Sequence, residues 1–187
     1  YADFIVDLAE ALHNKGKLLS AAVIGTKTKS TDDGDGAAYL DRALAAFDWL
    51  NLMTYDDSTT NHAPWDLVLR SSKYWLEDRG IPASKAVIGL PIYARPSWRN
   101  YSEVLAIDEN YACQDQVMFK GNIDYYNGLP LIKRKTQFAL DSRFAGVMVW
   151  ELTSDSENPE LSIMQAIDDV VTGKNSYQFC EAKRIKQ

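Results

Sequence analysis

Phe47-Asp48-Trp49-Leu50-Asn51-Leu52-Met53-Thr54-Tyr55-Asp56-Asp57 is a near-continuous apolar run that ends in a phenol and two carboxylates. A run this short, flanked by polar residues, reads as a strand buried on both faces, the kind found in a parallel sheet. In βα architectures the loop after such a strand lies at the carboxyl end of the sheet, where ligands bind. Tyr55 and Asp56 therefore fall where chemistry is done. The plainer alternative is a solvated aspartate beside a packed tyrosine.

Three further runs share this character: residues 18–24 (LLSAAVI), 86–92 (AVIGLPI) and 146–151 (GVMVWE). Each reads as a buried strand. Pro91 would interrupt a central ladder, so the third strand is expected to end near Leu90. Residues 1–14, 37–46, 64–79, 129–140 and 161–171 show helical spacing, with Pro64 suited to a first turn. Residues 27–36 form a polar loop, and residues 93–128 lose the pattern and are expected to hold short helical or hairpin pieces. A helix followed by four strand–helix repeats means parallel β structure. A complete (β/α)8 barrel takes eight such units and about 250 residues. The expected fold is thus α/β, the second half of a TIM barrel, with an open four- or five-stranded sheet as the alternative. Residues 1–173 make up that partial barrel, and residues 174–187 read as a tail or linker.

Composition removes several function classes. A net charge of −6 over 187 residues and a pI near 4.9 argue against nucleic acid and anionic membranes as partners. No apolar run approaches the roughly 20 residues that span a bilayer, and no opening stretch reads as a signal peptide. Cys113 and Cys180 have no metal-ligand spacing and form no C-x-x-C; one disulfide or two free thiols both fit, which leaves the compartment open. His13 and His62 stand far apart with no third-ligand pattern, so neither a metal nor a cofactor is expected. His13 reads as a surface residue, and His62 as a loop-ordering hydrogen bonder or a cleft residue.

Three motifs at strand ends fall into one family pattern. Met53-Thr54-Tyr55-Asp56 resembles the M-x-Y-D signature on the sixth barrel strand of glycoside hydrolase family 18, the chitinase family. Gly89-Leu90-Pro91-Ile92-Tyr93-Ala94-Arg95, followed by Ser97-Trp98, is similar to that family's seventh strand, G-x-P-F-Y-G-R-x-W, with Ile for Phe and Ala for the second Gly. Gly146-Val147-Met148-Val149-Trp150-Glu151 resembles the eighth strand, and residues 18–24 the fifth. The resemblance covers residues 1–173 in the family's order. One departure stands out. The family's acid motif, D-x-x-D-x-D-x-E, occurs nowhere in these residues, and Asp32-Asp33-Gly34-Asp35 has the carboxylates but not the glutamate.

The resemblance implies substrate-assisted, retaining hydrolysis of β-1,4-linked N-acetylglucosamine polymers, an exception to the two-carboxylate scheme. The sugar's own acetamido oxygen attacks the anomeric carbon while a glutamate protonates the leaving oxygen. Tyr55 would donate its hydroxyl to the acetamido oxygen, and Asp56 would bind the same sugar. Trp150 would floor the sugar site with its apolar indole face. Met53 would lie in the barrel interior beneath the sugar. Tyr93 and Arg95 would line the cleft, with an ion-pair role open for Arg95. Trp98 and Tyr101 are candidate outer platforms or loop-packing residues. Glu151 would touch sugar hydroxyls or pair with a neighbouring strand end. The implied partners are chitin or N-acetylglucosamine oligosaccharides. The resemblance also implies a secreted or extracellular protein, and a chain that lacks the acid and is inactive alone, pairing with an amino-terminal half-barrel or with its own copies. A non-catalytic, lectin-like sugar-binding role is the alternative.

Overall fold

The four apolar runs become four parallel strands. The computed structural model describes residues 1–25, 35–174 and 180. Its strands are β1 (Ser20–Ile24), β2 (Trp49–Met53), β3 (Ala86–Pro91), β4 (Gln116–Phe119), β5 (Asn122–Tyr125) and β6 (Gly146–Trp150). Its helices are α1 (Ala2–His13), α2 (Asp41–Ala46), α3 (Trp65–Lys73), α4 (Tyr101–Leu105), α5 (Leu129–Asp141) and α6 (Ile163–Thr172). The main sheet runs in the order β1-β2-β3-β6, every pair parallel. Ile24 pairs with Met53, Leu52 with Ile88 and Pro91 with Trp150, so all four strands end together on one side. Residues 26–34 and most of the stretch read as a tail or linker, residues 175–179 and 181–187, lie outside the described residues.

Burial follows position in the sheet. β3 is central and buried throughout, and Val23, Leu50, Leu52, Ile88 and Leu90 form the core with helix residues such as Ile132 and Ile163. The outer strands differ from expectation. Only Val23 is buried in β1, and β6 is half-buried and ends on an exposed Trp150, because among the described residues no strand pairs with either outer edge. Pro91 also belongs to its strand, one residue past the expected stop. β2 pairs with β3 only as far as Ile88, so no N–H is required of position 91 on that side.

The helix expected over residues 37–46 is a 3₁₀ turn (Asp35–Ala38) followed by α2, and that over 64–79 is α3 capped by Pro64 and continued by one π turn, Tyr74–Asp78. Asp48 fastens α1 to the sheet: its carboxylate accepts from the Leu19 N–H at 2.7 Å and lies 2.9 Å from His13 Nε2, and these bonds, Leu19 first, hold it below the usual carboxylate range. His13 is exposed, as read.

Residues 92–128 contain α4 and an antiparallel hairpin, β4–β5. The hairpin turns at Lys120-Gly121, both at positive φ. The cysteines are paired. Cys180, itself buried, is bonded to Cys113 across 67 residues of sequence. A cross-link closing a loop of this length restricts the unfolded chain by an amount worth on the order of 2–4 kcal/mol. Reduction, or Cys180→Ser, is expected to lower the unfolding free energy by about that amount, read from urea melts; an unchanged midpoint would contradict it.

Candidate functional site

The site is built where the sheet's carboxyl end gathers three loops, and glycine makes the approach close. A Cβ at Gly89 would lie 2.5 Å from the Leu52 carbonyl oxygen and 2.9 Å from Tyr55 Cε1; one at Gly25 would lie 2.6 Å from the Met53 carbonyl oxygen. With both side chains absent, β1 and β3 close on the end of β2, and the Tyr55 ring lies against β3. Thr54 adds a fully buried hydroxyl that donates to the Gly89 carbonyl at 2.7 Å.

Asp56 is the centre of the network. Its Oδ2 accepts from the Tyr93 hydroxyl at 2.8 Å, and its Oδ1 accepts from Arg95 Nη1 at 2.9 Å and faces His62 Nδ1 at 3.3 Å. Three donors from two loops thus hold one carboxylate, a charge-assisted arrangement. Asp56 takes a left-handed backbone, φ 58°, which asparagine and aspartate tolerate better than most residues. Trp98, at φ 62°, occupies the same region with a bulky side chain, a conformation that persists only where surrounding contacts fix it.

Those contacts are visible. The Arg95 guanidinium lies 3.7 Å from the centre of the Trp98 ring, and Trp98 stacks on Tyr93 with centroids 5.5 Å apart and planes 15° apart. The hairpin grips the loop from behind. Arg95 and Tyr125 exchange backbone hydrogen bonds of 2.9 and 2.7 Å, and the Ser97 N–H donates to the buried Asp124 carboxylate at 3.2 Å. Trp98 is nonetheless 59% exposed and Trp150 57%. Both are large aromatic side chains left mostly exposed near the sheet's carboxyl end.

Protonation follows burial. Desolvation first, and the Asp56 charge second, push the Tyr55 phenol up to about 12, so it remains a neutral donor at physiological pH. Tyr93 is pushed up further for the same reasons, with its bond to Asp56 adding to the effect. His62 is fully buried, and desolvation lowers it to about 4 against the opposing pull of Asp56. It is therefore neutral, and the bond to Asp56 assigns its proton to Nδ1. A cavity of ≈ 310 Å³ opens beside this network, lined by Ile24, Gly25, Met53, Tyr55, Asp56, Asp57 and Leu67.

The sequence-predicted residues separate into groups. Tyr55, Asp56, Tyr93, Arg95 and Trp98 are brought into one network, and Met53 lines the cavity beside Tyr55. Of the two roles left open for Arg95, the ion pair is made, with Asp56. Trp150 stands on the neighbouring strand end. Glu151 is exposed and accepts from the Thr153 hydroxyl at 3.0 Å; among the described residues it forms no ion pair, so the expected bridge to a neighbouring strand end is not made. Tyr101 is no platform. It is buried, and its hydroxyl donates to the Leu161 carbonyl at 3.1 Å. His62 is the residue whose place the sequence left undecided, and its signal was proximity, six residues after Asp56 in the same loop.

With this geometry in view, the comparisons identify the family. The profile of glycosyl hydrolases family 18 matches residues 1–155, and the chain belongs to that family. Its α/β sheet is part of the family's TIM-barrel domain. Probable chitinase 10 of Drosophila melanogaster is 26% identical over 213 residues, covering 83% of this chain and 9% of that protein. The chitinase ChiB from the chitin utilization locus of Flavobacterium johnsoniae superposes with a TM-score of 0.77 at 27% identity, covering 92% of this chain and 56% of that one. Catalytic domain 2 of the Ostrinia furnacalis Group II chitinase, solved as a mutant with penta-N-acetylchitooctaose, has a TM-score of 0.74 at 20% identity, covering 93% and 60%. The chain thus spans little more than half of these two solved chains.

Two outcomes test this site. Gly89→Ala is expected to destabilise the protein by about 1–3 kcal/mol, the range for overpacking, and to alter the near-UV dichroism as the Tyr55 ring is displaced; an unperturbed spectrum would oppose the close-approach argument. His62 gives a pH signature. Its folded pKa lies below the unfolded value, so the unfolded chain binds the extra proton between pH 6.5 and about 4, and stability falls as pH falls through that window. The slope should reach about 1.4 kcal/mol per pH unit and flatten in His62→Gln, as read by urea melts at each pH.

Proposed function

We propose that this chain holds the sugar-binding part of a chitinase-type site for β-1,4-linked N-acetylglucosamine polymers. The observation that carries the reading is the Tyr55–Asp56 pair: a phenol kept neutral beside a carboxylate fixed by Tyr93, Arg95 and His62. Substrate-assisted hydrolysis needs a donor to align the acetamido oxygen and a fixed negative charge near the oxazolinium cation that forms. Tyr55 supplies the first and Asp56 the second. Trp150 offers its exposed ring to the apolar C–H face of the sugar at the cleavage position, and Trp98, supported by Tyr93 and Arg95, offers an outer platform. Tyr93, Arg95 and Met53 shape the cleft, and Glu151 is exposed beside Trp150 where sugar hydroxyls would come. The F. johnsoniae, O. furnacalis and D. melanogaster relatives support chitin as the polymer.

Turnover is a separate matter. No D-x-x-D-x-D-x-E string occurs among these residues, so the proton donor for the leaving oxygen comes from another segment or another chain, and these 187 residues alone bind without hydrolysing. This favours a second reading, a non-catalytic sugar-binding member of the family, in which the same contacts serve recognition. The Cys113–Cys180 bond supports an oxidising, extracellular setting.

Calorimetry with N-acetylglucosamine pentamer, together with a fluorogenic oligomer assay, tests both parts. Binding is expected without turnover, weakened roughly tenfold, about 1.4 kcal/mol, by Trp150→Ala or Tyr55→Phe. Turnover that survives repurification would refute the missing-acid argument. Unchanged binding in both variants would refute the site.

A further inference from the structure

The loop after β2 is held by a group that lies outside the site and that the proposed function does not use. Lys135, in the middle of α5, is 0% exposed. Its Nζ donates to the Ala63 carbonyl at 2.8 Å and to Asn127 Oδ1 at 2.6 Å, and Asn127 Nδ2 donates to the same Ala63 carbonyl at 3.1 Å. Both ammonium acceptors are neutral oxygens. The charge of Asp115 acts only from further off, and burial lowers the lysine to about 7. An ammonium enclosed with neutral acceptors is costly compared with an apolar side chain of similar length. The core of α5 would be filled as well by methionine.

What the cluster secures is next to His62. The His62 carbonyl accepts from the Asp57 N–H at 2.9 Å, and the following carbonyl, that of Ala63, is the one gripped by Lys135 and Asn127. His62 is therefore bracketed on both sides, and its ring is pressed into the core with Nδ1 toward Asp56 and its plane 4.9 Å, centre to centre, from Tyr93. Loops ordinarily lie on the surface. Here two successive loop residues, His62 and Ala63, are both 0% exposed, and the polar groups of Lys135 and Asn127 satisfy the backbone that this burial would otherwise leave without a partner.

We propose that Lys135, with Asn127, is a positioning residue for the sugar site: by fixing the Ala63 carbonyl it sets His62 beneath Asp56 and so orients the carboxylate. The proposal rests on the chitin-binding reading for its effect on sugar, but not for its effect on His62. It joins the site to the insertion between β3 and α5, since Asn127 follows the hairpin and Lys135 follows Asn127 on the next helix.

The test uses the 187-residue chain with Lys135→Met and Asn127→Ala, following the His62 imidazole by NMR titration and pentamer binding by calorimetry. In both variants the His62 titration should move from about 4 toward 6.5 as the loop loosens and water reaches the ring, and the pentamer Kd should rise roughly tenfold. Folded variants with wild-type near-UV dichroism, an unmoved His62 titration and an unchanged Kd would overturn the proposal and leave Lys135 a core residue. Should Lys135→Met fail to fold, Asn127→Ala decides by the same two readings. If the wild-type chain binds no pentamer, the chitin reading fails, and the His62 titration alone decides the positioning role.

Discussion

The site depends on one carboxylate being held still. Asp56 is half-exposed, on a left-handed backbone just past the end of β2, and within its own loop only His62 bonds its carboxylate among the described residues. Tyr93 and Arg95 reach it from the end of the neighbouring strand and His62 from across its own loop, with donor distances of 2.8, 2.9 and 3.3 Å. A fixed negative charge needs no reorganisation when positive charge develops beside it, which is what a site for oxocarbenium or oxazolinium chemistry requires. Each donor has its own support. Tyr93 is stacked on Trp98, Arg95 is bonded to the hairpin through its backbone, and His62 is enclosed in the core.

The parallel sheet makes this convergence achievable. Strands in register end together, so residues far apart in sequence, such as Asp56 and Arg95, emerge side by side. Gly25 and Gly89 narrow the spacing further, and the missing side chains are as much a part of the site as the present ones. The consequence is that the same backbone that carries the core also sets the distances among the polar groups above it.

Much of this was legible in the sequence, for a physical reason. Strands of a parallel sheet are covered by helices, so residues 49–53 and 86–91 read as unbroken apolar runs, and a run that ends in Tyr-Asp marks a change from core to solvent. The hairpin was legible only as short helical or hairpin pieces expected somewhere in residues 93–128, without its bounds. Gln116–Phe119 and Asn122–Tyr125 are four residues each, too short for alternation to stand out from loop sequence. A loop histidine such as His62 reads the same whether it faces water or core, and Tyr93, which packs on its ring, comes from the segment after β3. Lys135 is hidden in the sequence for a different reason. In α5 the buried positions are 129, 132, 135, 136 and 139, so the period alone places 135 on the apolar stripe. A lysine there is read as a break in the pattern, when it marks a polar group that the core requires.

The hairpin has a meaning beyond this one chain. Its root is fixed to the site by the paired Arg95 and Tyr125 backbones and by Asp124, while its turn at Lys120-Gly121 points away from that root. Residues added at the turn would lengthen the hairpin without moving the groups at its base. The hairpin's reach and the site's geometry are thus separate variables, one set at the turn and the other at the root.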